Sequence, residues 1–154
     1  MTTEVRTIEN AEEKRRICRV ILEALPEWFG IPEAREEYVS ESADKLFFAA
    51  MDGENPVGFL CLKETGHDTV ELYVMGVLKV RHRTGAGRAL VEAAKRAARE
   101  AGYAFMQVKT VQMGKYAEYD ATNRFYLAMG FKEFEVFPHL WDEWNPCQVY
   151  VMGL

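Results

Sequence analysis

The sequence predicts an α/β domain: a mixed sheet with helices on its faces. Three patterns point there. Two apolar runs, Leu46 to Met51 and Val57 to Leu62, flank Asp52-Gly53-Glu54-Asn55-Pro56, which reads as an antiparallel hairpin. A strand, a helix and a strand follow one another between residues 69 and 111, a βαβ unit whose strands are parallel. The helix of that unit carries Leu90, Ala94, Ala97 and Ala101 in one stripe, the period of an amphipathic helix.

The remaining elements follow in order. Val5 to Ile8 is a short first strand. Asn10 caps a helix to about Leu25, with Ile17, Val20, Ile21 and Leu25 on one face. Pro26 and Gly30 break it, and Pro32 opens a second helix through about Ser42. Thr69 to Leu78 is a strand, Gly85 to Ala101 a helix stopped by Gly102, and Phe105 to Val111 a strand. A helix over about Asp120 to Met129 stops at Gly130, and strands Phe131 to Phe137 and Val149 to Met152 close the chain. The order is β-α-α-β-β-β-α-β-α-β-β.

The 154 residues are expected to form a single domain. A chain of this size buries about 68–70% of the surface its unfolded form exposes, enough for a core without staples. Lys plus Arg is 19 and Asp plus Glu is 24, a net charge of −5, which disfavours a nucleic-acid partner. Cys18, Cys61 and Cys147 have no short spacing, so no disulfide framework is expected, and the expected compartment is reducing and cytoplasmic. The first ten residues carry Glu4, Arg6 and Glu9 and no apolar core, unlike a signal peptide. No run reaches the ~18 apolar residues of a membrane span. His67, His82 and His139 are too dispersed for a metal site, and none is expected.

The informative stretch is Lys79 to Leu90, KVRHRTGAGRAL, between an apolar strand and a helix. Gly85 and Gly87 let the backbone approach a ligand, and the first amides of the helix point outward with the positive end of its dipole behind them. Lys79, Arg81, Arg83 and Arg88 add positive charge with no acid among them, so an anion, foremost a phosphate, is expected there. A Walker A loop needs a lysine after the glycines, and a dinucleotide fingerprint needs a third glycine where Leu90 stands. Spacing alone leaves open a plain tight turn with solvated arginines.

His82-Arg83-Thr84-Gly85-Ala86-Gly87 resembles the acetyl-CoA motif Q/R-x-x-G-x-G/A of the GNAT superfamily of N-acetyltransferases. Upstream, Glu71 to Val77 resembles the family's fourth strand. Downstream, Arg124 to Phe131 resembles its F-Y-x-x-x-G-F segment, and the order of elements fits along nearly the whole chain. Three departures stand out: His82 replaces Gln or Arg, Lys79 replaces a common Pro, and Tyr119 stands where an Asn is frequent. The resemblance implies a GNAT-like acyl-CoA N-acyltransferase fold, with a mixed, mostly antiparallel sheet of about seven strands and four helices on its faces. It implies acetyl-CoA as co-substrate, bound by Met75, Gly76, Val77, His82, Arg83, Thr84, Gly85, Ala86, Gly87 and Arg88. Near Met75 a backbone N–H would polarise the acetyl carbonyl, and Val77 would pair with the pantetheine arm like an added strand. Gly76 is expected to mark a bulge that frees that N–H.

Acetyl transfer to an amine needs a base for the amine proton and an acid for the departing thiolate. By resemblance Glu71 is the base; it also reads as a solvated strand end. It lies four residues from Met75, ~13 Å at strand rise, and so would act through water. Tyr126 is the candidate acid, or a helix tyrosine packed beside Phe125. Glu27, Trp28 and Phe29, between the first two helices, are placed where this family builds its acceptor wall; the aromatics could stack on a cation and Glu27 could pair with it. Glu33 to Asp44 reads as a solvated acidic helix. Trp141 and Trp144 either form another wall or pack beneath their loop, and Cys147 opens the last strand without a nucleophilic role. The expected activity is transfer of acetyl to a primary amine, foremost of a small cationic molecule. A protein lysine or N-terminus is the alternative acceptor, and a non-catalytic acyl-CoA sensor or a nucleotide-binding protein the alternative class. A homodimer through the last strands stays open.

Overall fold

The computed structural model describes residues 3–154. Its elements are β1 (Glu4–Thr7), α1 (Ala11–Glu23), α2 (Pro32–Ser42), β2 (Leu46–Asp52), β3 (Asn55–Gly66), β4 (Thr69–Val77), α3 (Ala86–Glu100), β5 (Phe105–Val111), α4 (Ala117–Ala128), β6 (Lys132–Phe137) and β7 (Cys147–Gly153). One turn of 3-10 helix, Lys79–Arg81, lies between β4 and α3. The seven strands form one sheet in the order β1-β2-β3-β4-β5-β7-β6. The hairpin β2–β3 is antiparallel, as the turn residues predict, with a register shift at Ala50/Met51. The βαβ unit is parallel, pairing Thr69 with Phe105 and Glu71 with Gln107, where the ladder ends.

Local chemistry explains the boundaries. The Asn10 side chain accepts from the Glu13 N–H at 2.9 Å and caps α1. Pro32 fills the first position of α2, where its missing N–H costs nothing. The sequence places the start of α4 at about Asp120, and the helix begins at Ala117. The Asp120 carboxylate accepts from the Gly114 N–H at 2.7 Å and closes the preceding turn.

The chain forms two compact units. The first comprises residues up to Lys63 together with Tyr73–Ala97. In its core Ile17, Ile21 and Leu22 of α1 pack with Val39 of α2 and with Phe47, Phe59 and Val74 of the strands. Phe47 and Phe59 stack at 5.2 Å. Phe47 to Met51 and Val57 to Leu62 are buried without alternation, which is why these strands read as unbroken apolar runs.

The second unit comprises Glu64–Leu72 and Ala98–Leu154. Here β7 pairs antiparallel with β5 on one side and with β6 on the other. Buried Met106, Val108, Tyr126, Phe131, Tyr150 and Met152 build its core. The β6 strand is exposed along most of its length, as an edge strand with one partner is.

Candidate functional site

The glycine turn belongs to the first unit. Arg83 has a φ of +63° and Gly85 a φ of +90°. A Cβ at Gly85 would meet nothing within 4 Å, so backbone conformation rather than space selects glycine there. Successive amides in a backbone of alternating handedness make a concave nest for an anion. The first bond inside α3 runs from the Ala89 N–H to the Gly85 carbonyl at 2.9 Å. The amides of Ala86, Gly87 and Arg88 therefore have no acceptor within the helix and face outward from its positive end.

The cations of this stretch divide into two pairs. Arg81 is buried; its guanidinium is ion-paired with Asp52 and donates to the Thr3 hydroxyl at 3.2 Å. Lys79 donates to the Glu27 carboxylate. Arg83 and Arg88 are exposed. The Thr84 hydroxyl donates to the Arg81 carbonyl at 2.5 Å and closes the turn. His82 Nε2 lies 2.8 Å from the Val77 carbonyl, so that nitrogen carries a proton. Its ring meets Trp28 edge-on with centroids 6.0 Å apart. His82 thus ties the end of β4 to the turn and touches the α1–α2 connection.

Gly76 was expected to mark a bulge. What the structure shows at Gly76 is close packing: a Cβ there would stand 3.0 Å from Ile21 Cγ2 and from Leu25 Cδ1. Met75 and Val77, half-buried, alternate with it to the opposite face of β4.

The α1–α2 connection is ordered by its own backbone. The amides of Trp28 and Phe29 donate to the Leu25 carbonyl, and the Arg35 guanidinium donates to the Phe29 carbonyl at 2.9 Å. Phe29, Tyr38 and Tyr73 form a ladder of edge-on rings at 6.0 and 5.3 Å. The Tyr73 hydroxyl donates to the Glu41 carboxylate. Burial first, then Glu41, pushes the Tyr73 phenol well above its ordinary value. Lys45 and Lys63 hold their ammonium groups over the Tyr73 ring at 5.2 and 5.1 Å. Glu27 is engaged by Lys79, which holds its carboxyl below the usual range. The acidic helix is not merely solvated: Glu36 pairs with Arg19 and Glu41 with Tyr73.

In the second unit Glu71 is 9% exposed, and its carboxylate accepts from Lys109 Nζ at 3.0 Å. It is therefore a buried ion-pair partner rather than a solvated strand end. Lys109, which no sequence pattern singled out, reaches it from β5. Tyr126 is buried, with its ring edge-on to Phe131 at 5.6 Å and tilted against Tyr150 at 6.3 Å. Asn123, one turn earlier on α4, is fully buried and bonded to Tyr150. Its signal in the sequence was a polar side chain on the buried stripe of a helix. Tyr119 is half-buried, and that burial pushes its phenol up.

Trp141 and Trp144 are 47% and 70% exposed, so they do not pack beneath their loop. Asp142 shapes that loop by accepting from the Trp144 and Asn145 amides at 2.8 and 2.7 Å. Cys147 does open β7, and burial lifts its thiol to about 11. Among the described residues no cluster of His, Cys, Asp or Glu is arranged to hold a metal, and no helix is long and apolar enough to cross a membrane.

No curated protein matches the sequence. Solved structures share the fold at low identity. A GNAT-family protein from Desulfovibrio desulfuricans superposes with a TM-score of 0.83 at 22% identity, covering 99% of each chain. The ribosomal-protein-S18-alanine N-acetyltransferase from Escherichia coli gives 0.77 at 17% identity, over 99% of this chain and 94% of its own. An aminoglycoside 6'-N-acetyltransferase complexed with coenzyme A gives 0.74 at 18% identity, over 99% and 97%. The family described as "Acetyltransferase (GNAT) family" matches residues 12–131, more than three quarters of the sequence. With the mixed seven-stranded sheet and the glycine turn ahead of α3, that match establishes that the chain belongs to the GNAT acetyltransferase family.

Proposed function

We propose that the protein is an N-acetyltransferase that moves the acetyl group of acetyl-CoA directly to a primary amine, foremost that of a small cationic molecule. The observation that carries the donor half is the turn into α3. Its left-handed residues at 83 and 85 and the outward amides of residues 86–88 match a diphosphate, and exposed Arg83 and Arg88 add charge. The acceptor half rests on the ordered α1–α2 connection. It holds Glu27, Trp28 and Phe29 in one ordered turn, and a cation is attracted to aromatic rings and to carboxylates. Three free, buried thiols suit the cytoplasm, the proposed site of action.

In the reaction the amine nitrogen attacks the acetyl carbon and the carbon–sulfur bond breaks. Glu71 receives the amine proton through water, and the Tyr126 phenol gives its proton to the leaving thiolate. The test is a thiol-release screen with acetyl-CoA over polyamines, aminoglycosides, amino acids and basic peptides. Release with a polyamine or aminoglycoside supports the small-amine reading. Release with peptides alone moves the acceptor to protein amines. Calorimetric uptake of acetyl-CoA with no release over the whole panel would replace the enzyme by a sensor.

A further inference from the structure

Asn123 makes three hydrogen bonds from a fully buried position, using both amide N–H groups and its carbonyl oxygen. Its Nδ2 donates to the Val111 carbonyl at the end of β5 (2.8 Å) and to the Tyr119 carbonyl within α4 (2.7 Å). Its Oδ1 accepts from the Tyr150 hydroxyl of β7 at 2.5 Å. Tyr150 is itself 1% exposed. An apolar side chain would fill this site without needing partners. A fully satisfied buried network instead fixes one geometry, because any displacement of the helix strands a polar group.

What that geometry fixes is Tyr126. It lies three residues after Asn123, on the same face of α4. Tyr150 therefore meets α4 twice, through its hydroxyl at Asn123 and through its ring at Tyr126, where the centroids are 6.3 Å apart. Phe131 closes the Tyr126 ring edge-on at 5.6 Å. The three bonds at Asn123 set the height and rotation of α4 against β5 and β7, and the two rings set the tilt of the phenol.

We propose that Asn123 and Tyr150 are positioning residues that hold the Tyr126 phenol at the angle from which it delivers its proton to the leaving thiolate. This rests on the reading of Tyr126 as the general acid. Neither residue touches the reacting atoms; both act through Tyr126.

The experiment compares Tyr150→Phe, Asn123→Leu, Tyr126→Phe and the double variant Tyr126→Phe/Tyr150→Phe. Tyr150→Phe keeps the ring and removes only the hydroxyl, so it serves where Asn123→Leu fails to fold. The readout is thiol release from acetyl-CoA with the best amine of the screen, or its hydrolysis by water if no amine is taken. Tyr126→Phe is expected to lower kcat about 100-fold, the scale of a lost general acid. Tyr150→Phe is expected to lower kcat about ten-fold with KM for acetyl-CoA unchanged, as a misaimed reacting group does. In the Tyr126→Phe background the Tyr150→Phe change should cost nothing further, since its target is gone. Equal fold-losses in both backgrounds, or a Tyr150→Phe protein as fast as the parent, would overturn the positioning role while leaving Tyr126 as the acid. A Tyr126→Phe protein with full kcat, or a parent protein that releases no thiol at all, would overturn the acid reading and the inference with it.

Discussion

Lys79 and Glu27, 52 residues apart in sequence, form an ion pair that joins the 3-10 turn before the glycine loop to the connection between α1 and α2. Two groups with separate expected tasks, one drawing an anion and one a cation, thus neutralise each other. Both ends are substantially exposed, at 51% and 32% of their side chains, so the pair is screened by salt and adds little to stability. Its consequence is for recognition. Lys79→Ala should leave the melting temperature unchanged and release the Glu27 carboxylate to a cationic acceptor. The KM for a polyamine should fall by about two- to five-fold at low ionic strength, the scale of an exposed pair. A KM that rises, or does not move between low and high salt, would show that Glu27 does not face the acceptor.

Arg81 and Asp52 behave differently because one partner is buried. The Arg81 side chain is 7% exposed, and its guanidinium pins the 3-10 turn to the end of β2. Arg81→Met removes the charge and leaves Asp52, 39% exposed, to rehydrate. The expected loss is about 1.5–3 kcal/mol in urea unfolding, the range of a charged hydrogen bond. The turn loses its anchor at the same time, so the affinity for acetyl-CoA measured by calorimetry should fall with it. Unchanged affinity in a destabilised protein would separate Arg81 from the cofactor loop.

These pairs mark the boundary of what the sequence discloses. Asn10, Pro32 and the Asp52–Pro56 turn act on backbone within a few residues of themselves, so their roles follow from local chemistry. Gly85 is legible for the same reason, since its left-handed φ is a property of its own position. At Gly76 a Cβ would meet Ile21 and Leu25 of α1, an approach that only the fold brings there and that no local pattern announces. Lys109 on Glu71, Tyr150 on Asn123 and Arg81 on Asp52 join residues 38, 27 and 29 positions apart. No periodicity encodes such partners. The first turn of α4, Ala117 to Tyr119, escapes the sequence because nothing local marks its start, and the Asp120 carboxylate closes the turn before it by reaching Gly114.

The two informative glycines should respond to the same substitution for different reasons. Gly76→Ala drives a Cβ to 3.0 Å from two α1 side chains and should cost about 1–3 kcal/mol through overpacking. Trimming the neighbour, Gly76→Ala with Leu25→Val, should return part of that loss. Gly85→Ala has empty space around it but keeps a φ of +90°, so its cost is backbone strain and no trimming relieves it. Because the strain sits in the anion turn, Gly85→Ala should also weaken acetyl-CoA binding. Urea unfolding of these three variants and of Gly85→Ala with Leu25→Val, with calorimetry of the two single glycine variants, tests this; rescue of Gly85→Ala by Leu25→Val would refute the distinction.

The buried thiols make a prediction about alkaline pH. Burial pushes Cys18 up to about 12 and Cys147 up to about 11, and raises Cys61 in the same direction. In the unfolded chain a thiol titrates near ~8.5. Above that pH the unfolded state has released thiol protons that the folded state still binds. Unfolding is then favoured by each further rise in pH, and stability falls. The contribution of the protonated thiols is whole below about pH 8.5 and is lost progressively up to the folded values. For Cys18 the loss at pH 10 is bounded at about 2 kcal/mol, from about 1.4 kcal/mol per pKa unit. Urea midpoints should therefore be level between pH 7 and 8 and decline from 9 to 11, and Cys18→Ala should decline less steeply than the parent. The same burial means that an aromatic disulfide reagent at pH 8 reacts with none of the three thiols until urea unfolds the chain. One thiol reacting at once in the native protein would place it at the surface and remove it from the alkaline transition.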